Sequence, residues 1–303
     1  MNIIFFGTPD FAVPSLKTLL KSKHDVKAVV TAPDKERGRG QKVTFTPVKK
    51  FAIENNIPVL QPEKLNDGNF IEELKKINAD LFIIVAFRIL PVDVFTVPPE
   101  GSFNLHGSLL PKYRGAAPIQ WALINGDEKT GLTTFFLKEK VDTGNILLQK
   151  EILIDELDNF QTLHDEMSEE GAKLVLETVN LIESGTVEVK SQDDSVATKA
   201  PKITKDICKI DWNKTAKEIH NLVRGLSPVP GAFFIYDEKI YKVYKTKINR
   251  ESTLQPGEII ENKDQLIIGC KSEAIEVLEI QPEGRKRMDI ESFLRGYSIT
   301  DRK

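Results

Sequence analysis

The sequence has almost no cysteine: Cys208 and Cys270 are the two among 303 residues. Their spacing suits neither a metal site nor a disulfide framework, so both read as ordinary reduced thiols and no metal is expected. Long hydrophobic runs are also missing. The apolar stretch at residues 81–87 falls far short of the roughly 18 residues that span a bilayer, so no membrane partner is expected. The opening residues 1–7 carry no basic region ahead of their apolar stretch. They read as a first strand and not as a signal peptide, which makes the cytoplasm the expected compartment. No internal repeat or low-complexity segment is visible. Charge of one sign is scarce as well, the net value being −3. The two parts of the chain differ, however. Residues 1–189 hold 21 Lys and Arg against 27 Asp and Glu, and residues 190–303 hold 21 against 18. The mildly basic second part is the one suited to meet a polyanion.

What is present is the balance of a globular protein, 40% hydrophobic and 29% charged, at a length that predicts two domains. Residues 2–6 read as a buried strand. Thr8-Pro9-Asp10 then supplies an N-cap, a proline at the first helical position and an acid in the first turn of a helix running to about residue 21. Strands at 26–31, 59–60, 81–86, 101–106, 132–137 and 146–154 alternate with helices at 47–55, 70–77, 117–125 and 162–184. A loop spans 33–45. The fully apolar run at 81–86 is of the kind that a parallel sheet buries on both faces. The expected fold is therefore α/β, with a Rossmann-like, parallel-rich sheet in residues 1–189. Residues 190–206 are polar and read as a linker. Residues 207–303 carry one helix, 216–224, and strand-like runs at 232–236, 240–247, 258–261, 265–270 and 275–280. These suggest a smaller OB-like β-barrel.

The candidate chemistry begins at Asn104-Leu105-His106. Positions i and i+2 of a strand point to one face, so an amide and an imidazole stand side by side. They do so at the carboxyl end of a parallel strand, where open α/β sheets place their ligands. Downstream, Asp142-Thr143-Gly144 puts a carboxylate in a turn. Three such groups around one carbonyl suit acyl transfer: the amide donates to the developing oxyanion, the imidazole accepts a proton, and the carboxylate fixes the imidazole's tautomer. No Ser or Cys nucleophile is needed when the acceptor is an amine. Each piece also has a plain structural reading, as a hydrogen-bonded strand-end histidine or an Asp-Thr-Gly turn.

The run Asn104-Leu-His106-Gly-Ser108-Leu109-Leu110-Pro111, with Arg114-Gly115 and Asp142-Thr143-Gly144, resembles the signature of the folate-dependent formyltransferases. The opening Gly7-Thr8-Pro9-Asp10-Phe11 resembles that family too. The resemblance extends over essentially the whole chain. Pro33-Asp34 with Gly38-Arg39-Gly40, and Ser227-Pro228-Val229-Pro230-Gly231, are similar to the branch that formylates initiator methionyl-tRNA. The resemblance implies catalytic roles for Asn104, His106 and Asp142. It implies 10-formyltetrahydrofolate as co-substrate, bound by Ser108, Leu109, Leu110 and Pro111, with Phe87, Ile89 and Leu90 lining the same pocket. It also implies RNA contacts from the basic loop, at Arg39 and Lys42, while the chain is expected to act as a monomer. Lys245 is a further RNA candidate because Lys242, Lys245 and Lys247 interleave with Tyr241 and Tyr244 on one predicted barrel strand; lysines protecting an edge strand would look the same. The chain departs from the family at Phe87-Arg88, where Tyr-Gly is usual, and at Lys140, where many relatives have Gly. Two other readings stay open: a formyltransferase for a small amine such as a nucleotide-linked amino sugar, and a non-catalytic RNA-binding protein on an enzyme scaffold.

Overall fold

The computed structural model describes residues 1–37 and 42–300. In chain order the elements are β1 (Asn2–Gly7), α1 (Val13–Leu20), β2 (Asp25–Val30), β3 (Lys35–Arg37), β4 (Lys42–Thr44), α2 (Pro47–Glu54), β5 (Val59–Leu60), α3 (Gly68–Ile77), β6 (Leu81–Val85), α4 (Val92–Phe95), β7 (Ser102–His106), β8 (Arg114–Gly115), α5 (Pro118–Asn125), β9 (Lys129–Phe136), β10 (Ile146–Leu153) and α6 (Phe160–Ser184). Then follow β11 (Lys199–Ala200), α7 (Ala216–Leu226), β12 (Ala232–Tyr236), β13 (Lys239–Asn249), β14 (Ile259–Glu261), β15 (Leu266–Gly269), β16 (Ala274–Pro282), β17 (Met288–Asp289) and α8 (Ile290–Gly296). The chain folds into two units.

The first unit comprises residues 1–115, 130–152 and 164–199. Its seven-stranded sheet has the order β10-β9-β7-β6-β1-β2-β5. The β5-β2-β1-β6-β7 portion is parallel, and β9 joins β7 antiparallel. Ile3 to Phe6 and Leu81 to Ile83 are fully or almost fully buried, as continuous apolar strands covered on both faces must be. The chain order turns back between β1 and β6, the type of crevice that takes ligands in this architecture. Thr46 caps α2: its side chain accepts from the Lys49 N–H at 3.1 Å, with Pro47 opening the helix. The start of α1 differs from expectation. Residues Asp10–Ala12 form a 3-10 turn, and the α-helix begins at Val13 with Pro14 in its first turn. The stretch expected to be a loop at 33–45 contains the antiparallel pair β3–β4.

The second unit comprises residues 116–129, 153–163 and 200–303. Its antiparallel sheet runs β12-β13-β16-β15-β14, with β17 against β16, and it curls into a half-barrel. Helix α7 closes it, capped by a reciprocal Thr215–Glu218 box, with Ile219, Val223 and Leu226 in the same core as Phe233, Val243 and Ile280. Gly225 lets α7 approach α5 closely, because a Cβ there would lie 2.8 Å from Ile124. The segment expected to be a linker, 190–206, is shared between the units, and α5 groups with the second one.

Candidate active site

Strand β7 carries Asn104 and His106 with Ser102 on one face. Asn104 is half-buried and His106 is 6% exposed. Asn104, Asp142, Phe87, Arg88, Ile89 and Leu90 line one pocket of about 100 Å³, together with Leu137 and Val141. Among the described residues, the Asn104 carboxamide has no hydrogen-bond partner in the chain. The structure thus brings together five of the expected residues besides Arg88, from three distant stretches of sequence.

His106 and Asp142 are not hydrogen-bonded to each other among the described residues, which corrects the expectation that the carboxylate orients the imidazole. Each has its own anchor in one short segment. His106 Nε2 lies 2.9 Å from the Tyr113 carbonyl. A carbonyl only accepts, so Nε2 is the protonated nitrogen, and in the neutral ring Nδ1 holds the lone pair. Asp142 Oδ2 accepts from the Gly115 N–H at 2.9 Å. Tyr113 and Asp142 both have positive φ, 59° and 55°, a conformation L-residues adopt only when surroundings impose it. Gly144 explains the end of the Asp-Thr-Gly turn. A Cβ there would sit 1.5 Å from the Phe136 carbonyl oxygen, so only glycine fits. The Lys140 departure falls in this same turn, where the Lys140 carbonyl accepts from the Thr143 hydroxyl at 2.7 Å.

The Ser108–Pro111 stretch is anchored downward. Ser108 is fully buried and donates to the Lys112 carbonyl at 2.6 Å. Thr133 on β9 donates to the Ser108 carbonyl and accepts from the Leu110 N–H. Leu109 lies over Gly131, and Leu110 packs with Phe135 and Ile146. None of these four residues is among those lining the Asn104 pocket. Arg88, the other departure, sends its fork to the Pro62 and Glu63 carbonyls, at 2.9 and 3.2 Å.

Of the basic candidates, Arg39 lies outside the described residues, and Lys42 begins β4. Lys245 is exposed on β13. The expected interleaving with aromatic platforms does not hold, since Tyr241 and Tyr244 are buried, at 6% and 8% exposure. A bulge between Val243 and Lys245 breaks the alternation: Tyr241 and Val243 join the core, whereas Tyr244 is buried under Arg287, 4.5 Å from its ring. Tyr241 stacks on Phe234 at 5.4 Å, and Tyr244 donates to Gln281 at 2.6 Å. Both cysteines are free and buried, and burial pushes the Cys270 thiol up to about 11, so neither is a thiolate at neutral pH.

One set of residues went unassigned in the sequence. Arg114 and Gln192 tie the Asp142 turn to the segment after α6. Arg114 stands in the signature run, which could have flagged it; Gln192 carries no local signal.

A doubly wound α/β unit with an unpaired amide and a carboxylate lining one pocket of mixed polar and apolar character, and an imidazole two residues along the same strand, is an arrangement that suits an enzyme acting on a carbonyl group. A model of the family described as formyl transferase matches residues 1–179, and one for the formyl transferase C-terminal domain matches residues 202–298. The chain belongs to the formyl transferase family. It is similar to the methionyl-tRNA formyltransferase of Caldanaerobacter subterraneus subsp. tengcongensis, with 46% identity over 99% of this chain and 98% of that one. It is similar also to that of Thermodesulfovibrio yellowstonii, with 48% identity over 99% and 97%. Among solved structures, the sugar 3N-formyl transferase WlaRD shares the fold, with a TM-score of 0.69 and 23% identity over 94% of this chain and 99% of that one. An N-formyltransferase from Helicobacter canadensis, solved with folinic acid and dTDP-3-aminofucose, has a TM-score of 0.68 and 25% identity over 91% and 98%.

Proposed function

We propose that the protein transfers the formyl group of 10-formyltetrahydrofolate to the α-amino group of initiator methionyl-tRNA. The observation that carries the site is the free Asn104 carboxamide in the same pocket as the Asp142 carboxylate. Full-length relatives at 46% and 48% identity named for that activity supply the acceptor. The pocket fits the donor chemically. Phe87, Ile89, Leu90, Leu137 and Val141 offer apolar contact to a flat heterocycle, and the polar end holds Asn104 and Asp142. The Ser108–Pro111 turn is assigned to the folate as well, through the apolar contact that it offers a pteridine.

In this reading the neutral amine attacks the formyl carbon and the carbonyl π pair moves to oxygen. Asn104 donates an N–H to that oxyanion. His106 accepts the proton leaving the amine. Asp142 stabilises the positive charge that develops on the amine nitrogen and the imidazole. Collapse breaks the carbon–nitrogen bond to the folate, which leaves as tetrahydrofolate after taking up a proton. Arg39, Lys42 and Lys245 are assigned to the phosphates of the RNA, with residues 1–189 as the catalytic domain, 190–206 as connecting segment and 207–303 as the RNA-binding domain. The protein is assigned to the cytoplasm and acts as a monomer. The deciding measurement is formyl transfer from 10-formyltetrahydrofolate to initiator methionyl-tRNA, elongator methionyl-tRNA and dTDP- or UDP-linked amino sugars in parallel. Turnover with initiator methionyl-tRNA is expected to exceed that with either alternative; preference for an amino sugar overturns the reading.

A further inference from the structure

Gln192 lies in the polar segment after α6, and every hydrogen-bonding atom of its side chain is committed. Its Oε1 accepts from Arg114 twice, from Nε at 3.0 Å and from Nη2 at 2.6 Å. Its Nε2 donates twice, to the Asp142 carbonyl at 3.0 Å and to the Gly144 carbonyl at 2.8 Å. The amide can sit only one way round. A guanidinium offers donors alone and a main-chain carbonyl only accepts, so a carboxamide is the neutral group of this size that satisfies both ends. Arg114 is held in turn. Its side chain is 13% exposed and Nη2 reaches Asp194 Oδ1 at 2.6 Å, while its main-chain N–H donates to Thr198 at 2.9 Å.

The two carbonyls that Gln192 takes bracket the Asp142-Thr143-Gly144 turn. That turn holds Asp142 at a positive φ of 55°, a region that Asp tolerates better than most non-glycine residues, and its main-chain carbonyls are the ones Gln192 ties down. Its other side-chain ties are the bond from Gly115 N–H to Asp142 Oδ2 and that from the Thr143 hydroxyl to the Lys140 carbonyl. Arg114 itself is not among the residues lining the Asn104 pocket. We propose that Gln192, oriented by Arg114, is a positioning residue that holds the Asp142 carboxylate at the pocket shared with Asn104. The proposal rests on the reading of Asp142 as the carboxylate of the reaction centre.

The discriminating substitution is Gln192→Glu. It keeps length and shape and keeps an acceptor oxygen for the Arg114 fork, but it turns an anion toward two carbonyl oxygens. Gln192→Met keeps the length and removes both donors without adding charge. The charged groups around this position are Arg114, Asp142, Asp193 and Asp194, with Lys140 and Asp193 acting on Asp194. Steady-state and single-turnover formylation of initiator methionyl-tRNA by the full chain are measured from pH 5.5 to 8, with a thermal melt of each variant. Displacing a catalytic group by about 1 Å costs on the order of 100-fold. Gln192→Glu is therefore expected to lose roughly 10- to 100-fold in kcat, with KM for 10-formyltetrahydrofolate within about threefold of wild type. Its kcat relative to wild type rises as pH falls, because a protonated Glu regains an O–H donor for one carbonyl. Gln192→Met loses a similar factor with a ratio to wild type that does not change with pH. If Gln192→Glu has lost its thermal transition, Arg114→Lys takes its place: it leaves one donor for Oε1 in place of the fork and is expected to lower kcat while sparing KM. Wild-type kcat in folded Gln192→Met and in the second variant overturns the proposal, as does an identical, pH-independent deficit in Gln192→Glu and Gln192→Met. A wild-type enzyme inactive on methionyl-tRNA overturns the functional reading instead, which separates the two failures.

Discussion

Truncating Asn104 to alanine tests the reaction centre with the least structural disturbance. The Asn104 side chain is half-buried, lines the pocket, and makes no hydrogen bond within the chain among the described residues. Its removal therefore orphans no donor or acceptor. The folding cost is expected to stay within about 0.5 kcal/mol, as for substitutions away from packed or bonded features, a shift of about 2 °C or less in the thermal midpoint. The catalytic cost is of a different size. Losing one oxyanion donor removes roughly 2.7–4 kcal/mol of transition-state stabilisation, or 10²–10³ in kcat. The assay is rapid-quench single turnover with saturating 10-formyltetrahydrofolate and methionyl-tRNA, beside a melt and a titration with the folate product. The loss is expected in the single-turnover rate, with product-folate affinity within about threefold. Asn104→Asp, which sets an anion where the oxyanion forms, is expected to be slower than Asn104→Ala. A single-turnover rate for Asn104→Ala within about threefold of wild type refutes the oxyanion role. A loss confined to folate affinity refutes it equally, because it makes the amide a binding group alone.

His106→Ala and Asp142→Ala are each expected to lower turnover by roughly 10²–10⁴, the range of general acid–base groups, with near-normal single-turnover rates arguing against both. Gly144→Ala places a Cβ 1.5 Å from the Phe136 carbonyl oxygen; overpacking of this kind costs about 3 kcal/mol or more, read as a lowered urea midpoint. His220 sits on α7 with its Nδ1 2.9 Å from the Thr246 hydroxyl, and burial, then the nearby Arg224, push its pKa below 6.5 while Glu156 opposes them. The unfolded chain binds a proton there that the folded chain resists, so this contribution is complete above pH 6.5 and is lost as pH falls toward the lowered value. The urea midpoint of His220→Gln is expected to drop less than that of wild type between pH 7.5 and pH 5.5; parallel pH curves refute this.

Much of the fold was legible because burial on both faces writes continuous apolar strands, as at Ile3–Phe6 and Leu81–Val85. What escaped had local causes. The Thr8-Pro9-Asp10 signal opens a 3-10 turn, and α1 starts later, at Val13. Helix α8 spans Ile290–Gly296 behind an Asp289 cap, too short to show a period beside the basic turn that precedes it. In β13 a bulge breaks the alternation, and Tyr241 joins the core while Tyr244 is covered by Arg287 and Gln281, so reading both as surface platforms failed. Trp212 packs edge-on to Phe234. In the site, motif residues identified the groups but not their supports. The imidazole and the carboxylate were expected to meet directly, yet each is tied to main chain, at Tyr113 and at Gly115.

That arrangement gives the signature a physical division of labour. Asn104 and His106 ride on a strand whose geometry the parallel sheet fixes, whereas Asp142 stands on a turn with positive φ. A rigid element needs no further support, but a turn does. The support comes from both sides: the Gly115 N–H below the carboxylate and the Gln192 amide across the carbonyls of Asp142 and Gly144. Tyr113, Arg114 and Gly115 thus serve one purpose through three consecutive residues. The first holds the imidazole, the second aims Gln192, and the third holds the carboxylate. The imidazole and the carboxylate are thus linked through three consecutive residues of main chain, with no direct bond between them among the described residues.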